Sequence, residues 1–330
     1  MSTRLISFRI SLLFLLTLVL AACGGAQQTV DRPATTPTVA ATPAVDDRGT
    51  PIVYPKTAPQ RIISLAANTS EMLGALGLQD KVVAVDNYTT YPKELTSKPR
   101  ISDAMGKYNI EQITALKPDL VLSHGGITHE VDDKLRGLGL NVVDLPAVDF
   151  TKSLEQILIV GKLTHTEQKA QEVYEQATKE RQDIIQKVAG TEKPKVLLEV
   201  DNSTAGKPFV FGKGSFGDEM LRDANAINIF ADNNSNGGYP QVTDEAIIRA
   251  NPAYIILTED PKYGGDPSLV YKRPNWGGIQ AVKEKQVYHV NVNITQHAGP
   301  RLVQGLRCIA QIVHPDKFTE KLPQYCSDTI

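Results

Sequence analysis

Glu111-Gln112-Ile113-Thr114-Ala115-Leu116-Lys117-Pro118-Asp119-Leu120-Val121-Leu122 decides the fold, because the chain repeats its pattern further on. Glu245-Ala246-Ile247 leads to Pro252 and then to Ile255-Ile256-Leu257, so Glu and Pro stand seven apart both times. Each stretch reads as a helix with a carboxylate in its first turn, where the dipole favours negative charge, then a proline that stops it and an apolar strand. The two acids read either as ordinary helix-start residues or as a matched pair. In the second case, one acid on the outer face of each half would grip a basic partner at two points.

Short β-branched runs alternate with helical patterns on both sides of these stretches. Before the first come Arg61-Ile62-Ile63-Ser64-Leu65, a helix from about Ser70 to Leu76, and Val82-Val83-Ala84-Val85. After it come a helix from Val131 to Leu138 and the strand Asn141-Val142-Val143-Asp144. A second series holds Val196-Leu197-Leu198-Glu199-Val200, helices near Phe216 to Asp223 and Glu245 to Ala250, Val287-Tyr288-His289-Val290 and a last helix from about Arg301 to Val313. Strand and helix in alternation predict α/β architecture with parallel-rich sheets. Between the series, Ala170, Val173, Tyr174, Ala177, Ile184, Ile185 and Val188 recur at helical spacing from Thr166. About 24 residues at 1.5 Å each span roughly 36 Å, enough to cross between lobes while permitting only modest hinge closure. The expectation is two Rossmann-like lobes, residues 59–150 and 193–330, joined through a helical connection (151–192) that contains a single long bridging helix.

The N-terminus is of a different kind. Arg4 and Arg9 precede an apolar run from Ile10 to Leu20, then Leu20-Ala21-Ala22-Cys23-Gly24-Gly25. The run is too short for a stable membrane span and has the form of a secretory leader, with small residues before a cysteine. Residues 1–22 are expected to be a lipoprotein signal peptide and Cys23 the lipidated first residue of the mature chain. Residues 23–58 hold Pro33, Pro37, Pro43, Pro51 and Pro55 among Thr, Ala and Gln, a composition expected to form a disordered tether. The body is then placed outside the cytoplasm, anchored to a membrane by lipid.

Composition excludes several classes. The 330 residues include 41% hydrophobic and 22% charged side chains, ordinary globular usage, and 35 basic against 37 acidic residues leave a formal charge of −2. No basic face is evident, so no nucleic-acid partner is expected. Three cysteines exclude a disulfide-built scaffold and a multi-zinc module. In an oxidising compartment, Cys308 and Cys326 are expected to pair. Gly212-Lys213-Gly214-Ser215-Phe216-Gly217 satisfies the dinucleotide-binding pattern, but the preceding apolar stretch is short and contains Pro208, and no strand ending in a ribose-binding acid follows about 20 residues on. Ser215 lacks the first glycine of a hydrolase elbow. Asp132-Asp133 reads as a solvated helix face. No enzyme is expected.

Taken with Thr69-Ser70-Glu71, Val85-Asp86-Asn87-Tyr88, Tyr91-Pro92, Gly238-Tyr239-Pro240-Gln241-Val242-Thr243-Asp244-Glu245 and Gly299-Pro300-Arg301-Leu302-Val303-Gln304-Gly305-Leu306, the chain resembles the lipid-anchored substrate-binding proteins of ABC importers for cobalamin, ferric siderophores and haem. The resemblance covers about residues 59–318. It implies that Glu111 and Glu245 form salt bridges to arginines on the membrane subunits of a dimeric permease. It also implies a cleft in which a flat metal chelate lies against Tyr88 and Tyr239, with Tyr91, Phe211, Phe216 and Trp276 as further lining. The expected cargo is a ferric siderophore or cobalamin, with haem, or an exported enzyme acting on a tetrapyrrole, as the alternatives; the protein is expected to be a monomer with no intrinsic cofactor. Ala67 stands where the family often has Pro, and Ala104 or Met105 where a cobalamin binder has Trp, departures that weigh against cobalamin itself. Asn225-Ala226 stands where Gly-Gly is usual, at a helix end. His124 and His297, from opposite lobes, are candidates to ligate cobalt or haem iron or to hydrogen-bond the cargo. His129, His165, His289 and His314 read as surface or loop residues. No set of three histidines and a carboxylate suits a zinc or manganese site.

Overall fold

The computed structural model describes residues 44–126, 128–147 and 149–327. The leader, Cys23 and the first part of the tether lie outside these residues. In the first lobe, β1 (Ile62–Ser64), β2 (Val82–Val85), β3 (Leu120–His124) and β4 (Val142–Leu145) form a wholly parallel sheet in the order β2-β1-β3-β4. Alternate residues serve opposite faces. Ile62, Leu120, Leu122 and Val143 pack with Met72, Leu73 and Ile157, while Ile63, Val121 and Val142 pack with Ile101, Ile113 and Leu135. Both faces are covered, which is why the strands read as continuous apolar runs rather than as alternation.

The second lobe carries β5 (Lys195–Asp201), β6 (Phe209–Val210), β7 (Ile227–Asn228), β8 (Tyr254–Leu257) and β9 (Val287–His289). β5 pairs in parallel with β7 and β8, β8 in parallel with β9, and only β6 runs antiparallel. Val196, Leu198 and Ile256 pack on one side with the helix Leu302–Val313. Leu197, Ile255 and Leu257 pack on the other with Trp276 and Ile279. Cys308 and Cys326 are bonded, tying that last helix to the C-terminal turn.

The repeated motif folds alike in both lobes. The helix Ile110–Ala115 is capped by Asn109, whose side chain accepts the Gln112 N–H, and the helix Asp244–Ala250 by Thr243, which accepts from Ala246. Beyond each, a residue in the left-handed region, Lys117 (φ 47°) or Asn251 (φ 49°), turns the chain into the proline. The pre-proline position disfavours the right-handed helix, so stop and turn are fixed together. Asp119 N–H then donates to Arg61 O and Ala253 N–H to Lys195 O, aligning β3 and β8 beside their neighbours.

Two helices span the lobes, where one was expected. The helix Phe150–Thr164 starts with Phe150 and Leu154 in the second-lobe core and continues with Ile157, Val160 and Leu163 in the first. His165, at φ 58°, reverses the chain, and the helix Glu167–Val188 runs back from Ala170 in the first core to Ala177, Ile184 and Val188 in the second. The chain crosses once, on this second helix, with the first laid along it as a brace.

Residues 44–58, expected to belong to the tether, are placed on the first lobe. From Ala44 the chain lies on the first lobe, with Val45 bridging Pro51, Asp47 N–H donating to Asp144 O, and Ile52 and Tyr54 packed against the core. Pro and Thr content concealed this because two apolar residues and a few polar contacts suffice to dock so short a segment. Asp132 also departs from expectation. It is wholly buried, its Oδ2 accepting from Ser123 Oγ at 2.9 Å and Thr128 Oγ1 at 3.0 Å, because the helix His129–Gly137 turns that face to β3 and leaves only Asp133 outside.

Candidate functional site

The contact between the lobes is polar. Glu71, on the helix Ala67–Ala75, is 2% exposed and forms an ion pair with Arg301 of the second lobe. Its Oε1 also lies 3.3 Å from His297 Nδ1. Asn68 Nδ2 donates to Ala298 O at 3.4 Å, and Thr90 Oγ1 donates to Asn293 Oδ1 at 2.7 Å. Gly299 lets the two lobes approach closely here, since a Cβ at that position would stand 3.0 Å from Glu71 Oε2. The remainder of Thr69-Ser70-Glu71 is structural. Ser64, Thr69, Ser70 and Thr89 form a buried chain of hydroxyls that holds the helix against β1 and the loop after β2.

That loop presents two of the expected tyrosines. Asp86 accepts the Tyr88 N–H at 2.9 Å and the Thr89 hydroxyl, while Arg100 donates to the carbonyls of Asp86 and Thr89. Burial raises the Asp86 carboxyl above its usual range, against the opposing effect of these hydrogen bonds. Tyr88 is 53% exposed and Tyr91 44%, and the Arg301 guanidinium lies 3.9 Å from the centre of the Tyr91 ring. Tyr91, His297, Arg301 and Glu71 therefore meet where the lobes touch. Aromatic side chains left this open beside an interlobe contact are available to a flat ligand.

Tyr239 is half-buried in the second lobe, its ring 5.5 Å from Phe211 and 6.1 Å from Phe216. Burial holds its phenol protonated, well above the usual range. Phe211 itself is wholly buried and serves as backing to Tyr239 rather than as lining. Trp276 is wholly buried too, in the core on the far side of the second sheet, beneath Arg273, which is committed to Glu199 by two hydrogen bonds of 2.6 Å. Both were expected at the cleft; sequence does not distinguish an aromatic residue at a rim from one in a core. His124 ends β3, and burial pushes its imidazole down to about 4, leaving it neutral at physiological pH. Its Nδ1 is buried and has no hydrogen-bond partner. The interlobe role of Glu71 and Arg301 went unforeseen, although both lie in motifs noticed in the sequence.

The two matched acids are exposed in the first turns of their helices, one per lobe. Glu111 borders a depression of about 560 Å³ lined also by Ser102, Asp103, Lys107 and Tyr108. Backbone N–H donation and the Thr243 hydroxyl hold the Glu245 carboxyl below its usual range, so it is charged at neutral pH. Among the described residues, no helix is long and apolar enough to cross a membrane.

Two parallel-sheet lobes, one crossover between them and a polar seam edged with open tyrosines define the class of two-lobed solute-binding proteins, which hold a ligand between lobes. The chain belongs to the periplasmic binding protein family, which matches residues 62–292. It is 33% identical, over 93% of its length and 97% of the other's, to an uncharacterized ABC transporter substrate-binding lipoprotein of Bacillus subtilis. It is 27% identical, over 78% and 90% of the two chains, to a vitamin B12-binding protein of Vibrio cholerae. Among solved structures, a possible iron-binding periplasmic solute-binding protein of Staphylococcus epidermidis superposes with a TM-score of 0.68 at 28% identity, covering 78% of this chain and all of that one. The fold is thus that of a substrate-binding protein of ABC transporters, a class whose partners are membrane permeases and small-molecule ligands.

Proposed function

We propose that the protein is a lipoprotein, anchored through Cys23 on the outer side of a membrane, that works as a monomer to capture a corrinoid or ferric siderophore and hand it to an ABC importer. The cargo lies between Tyr88 and Tyr91 on one side and Tyr239 on the other. Ligand that touches both lobes shifts them towards closure only as far as it binds the closed form more tightly. No catalytic step is needed.

The observation that carries delivery is the placement of Glu111 and Glu245. Side-chain caps fix both helix starts, both carboxylates face solvent, and the two lobes supply one each. A permease with paired arginines would be gripped at two points whose relative position reports the arrangement of the lobes. The test is a Glu111→Ala/Glu245→Ala double variant, assayed for equilibrium binding and for uptake in cells carrying the cognate permease. Cargo affinity is expected to stay within about twofold and uptake to fall by at least roughly tenfold, as for the loss of two charge pairs at about 1 kcal/mol or more each. Uptake at the wild-type rate would refute the docking role.

A further inference from the structure

Three titratable side chains from distant parts of the chain converge on the first lobe. Asp47 belongs to the docked N-terminal segment, His129 opens the helix His129–Gly137, and Asp144 lies on β4, at the opposite edge of the sheet from β2. His129 Nε2 is 2.8 Å from Asp47 Oδ2 and 3.1 Å from Asp144 Oδ2, and one donor atom from each of the three lies within 4.8 Å of the others.

Hydrogen bonding alone leaves this group unbalanced. A single proton on Nε2 serves one acceptor, and Asp47 has the better position. Asp144 is wholly buried, yet neither of its carboxylate oxygens has a hydrogen-bond partner. An unbonded buried carboxylate is strongly unfavourable unless a positive charge meets it. The nearby guanidiniums are engaged elsewhere, Arg136 with Asp46 at 3.0 Å and Arg48 with Asp133 at 2.9 Å.

We propose that Asp47, His129 and Asp144 form a binding site for a divalent transition cation of the zinc type. One imidazole nitrogen and two carboxylate oxygens are borderline donors that suit such an ion. Bonds of about 2.0–2.2 Å in tetrahedral geometry place neighbouring donors about 3.3–3.6 Å apart, so the two acids, now 2.8 and 3.1 Å from His129 Nε2, need open outward by only about half an ångström to admit the ion. The side chains of His129 and Asp47 are 36% and 20% exposed, so the ion has access from solvent and a fourth position is left for water. Bound there, the cation satisfies Asp144 and fastens residues 44–50 to the lobe at the point where the chain leaves for its anchor.

The experiment uses full-length protein in detergent, stripped with a chelator and titrated with Zn²⁺ alone by calorimetry, with a thermal melt of each sample. Wild type is expected to bind one Zn²⁺ and to melt higher with it. Asp47→Asn and Asp144→Asn should each weaken binding at least about tenfold, and His129→Gln should abolish it. Asp47→Asn changes a side chain at the lobe surface, so it decides the matter even if the Asp144 variant fails to fold. Failure of wild type to bind Zn²⁺ would overturn the site, as would zinc affinity unchanged in Asp47→Asn and His129→Gln, which would place the ion elsewhere.

Discussion

Glu71 is buried where the lobes meet, and among the described residues its partners Arg301 and His297 both come from the other lobe. Removing one member of such a pair leaves the other charge buried without its partner, which typically costs about 3–5 kcal/mol. Glu71→Ala is therefore expected to lower the free energy of unfolding by about that amount in urea titrations, with Glu71→Met/Arg301→Met recovering part of the loss. A change below about 1 kcal/mol would show that the seam is held by other contacts. At this scale the sequence was only partly legible. Tyr88, Tyr91, Glu111 and Glu245 are exposed where pattern and resemblance pointed. Phe211 and Trp276 are core, and the partners of Glu71, like the union of Asp47 with His129 and Asp144, come from parts of the chain too far apart for local spacing to reveal.

Elements were the most legible scale, because caps and breakers are local. Asn109 and Thr243 start the echoed helices, and Lys117-Pro118 and Asn251-Pro252 end them, within a few residues of the boundaries expected. The brace helix Phe150–Thr164 falls in the helical connection expected over 151–192 but was not told apart from the bridging helix, since its apolar residues divide between two cores and form no single stripe. Its crossing with the bridging helix is close. A Cβ on Gly161 would lie 2.3 Å from the Ala170 Cβ, whereas one on Gly137, in the helix His129–Gly137, meets nothing within 4 Å. Gly161→Leu should thus destabilise the protein by about 1–3 kcal/mol or more through overpacking between the two helices. Gly137→Ala should be neutral or stabilising by up to about 1 kcal/mol, through restriction of the unfolded chain. Thermal melts of the two variants side by side check the contrast; equal effects would mean that the helix pair tolerates separation.

For the whole molecule, a braced crossover and a seam of ion pair and hydrogen bonds both limit how far the lobes can part. The architecture therefore suits recognition by preformed walls with modest closure. Lobe number and order were legible because each lobe repeats the same strand-and-helix grammar. The docking of residues 44–58 was not, because it depends on a surface that exists only once the first lobe has folded. The central claim is that a metal chelate binds between the tyrosines of the two lobes. Its most direct test is calorimetric titration of the full-length protein with cyanocobalamin, a ferric hydroxamate siderophore and haemin in turn, at two temperatures so that a vanishing enthalpy at one is not mistaken for absence of binding. One-to-one binding of one chelate, weakened roughly tenfold or more by Tyr88→Ala and by Tyr239→Ala, is the predicted result. No binding of any of the three, or binding indifferent to both tyrosines, would contradict it.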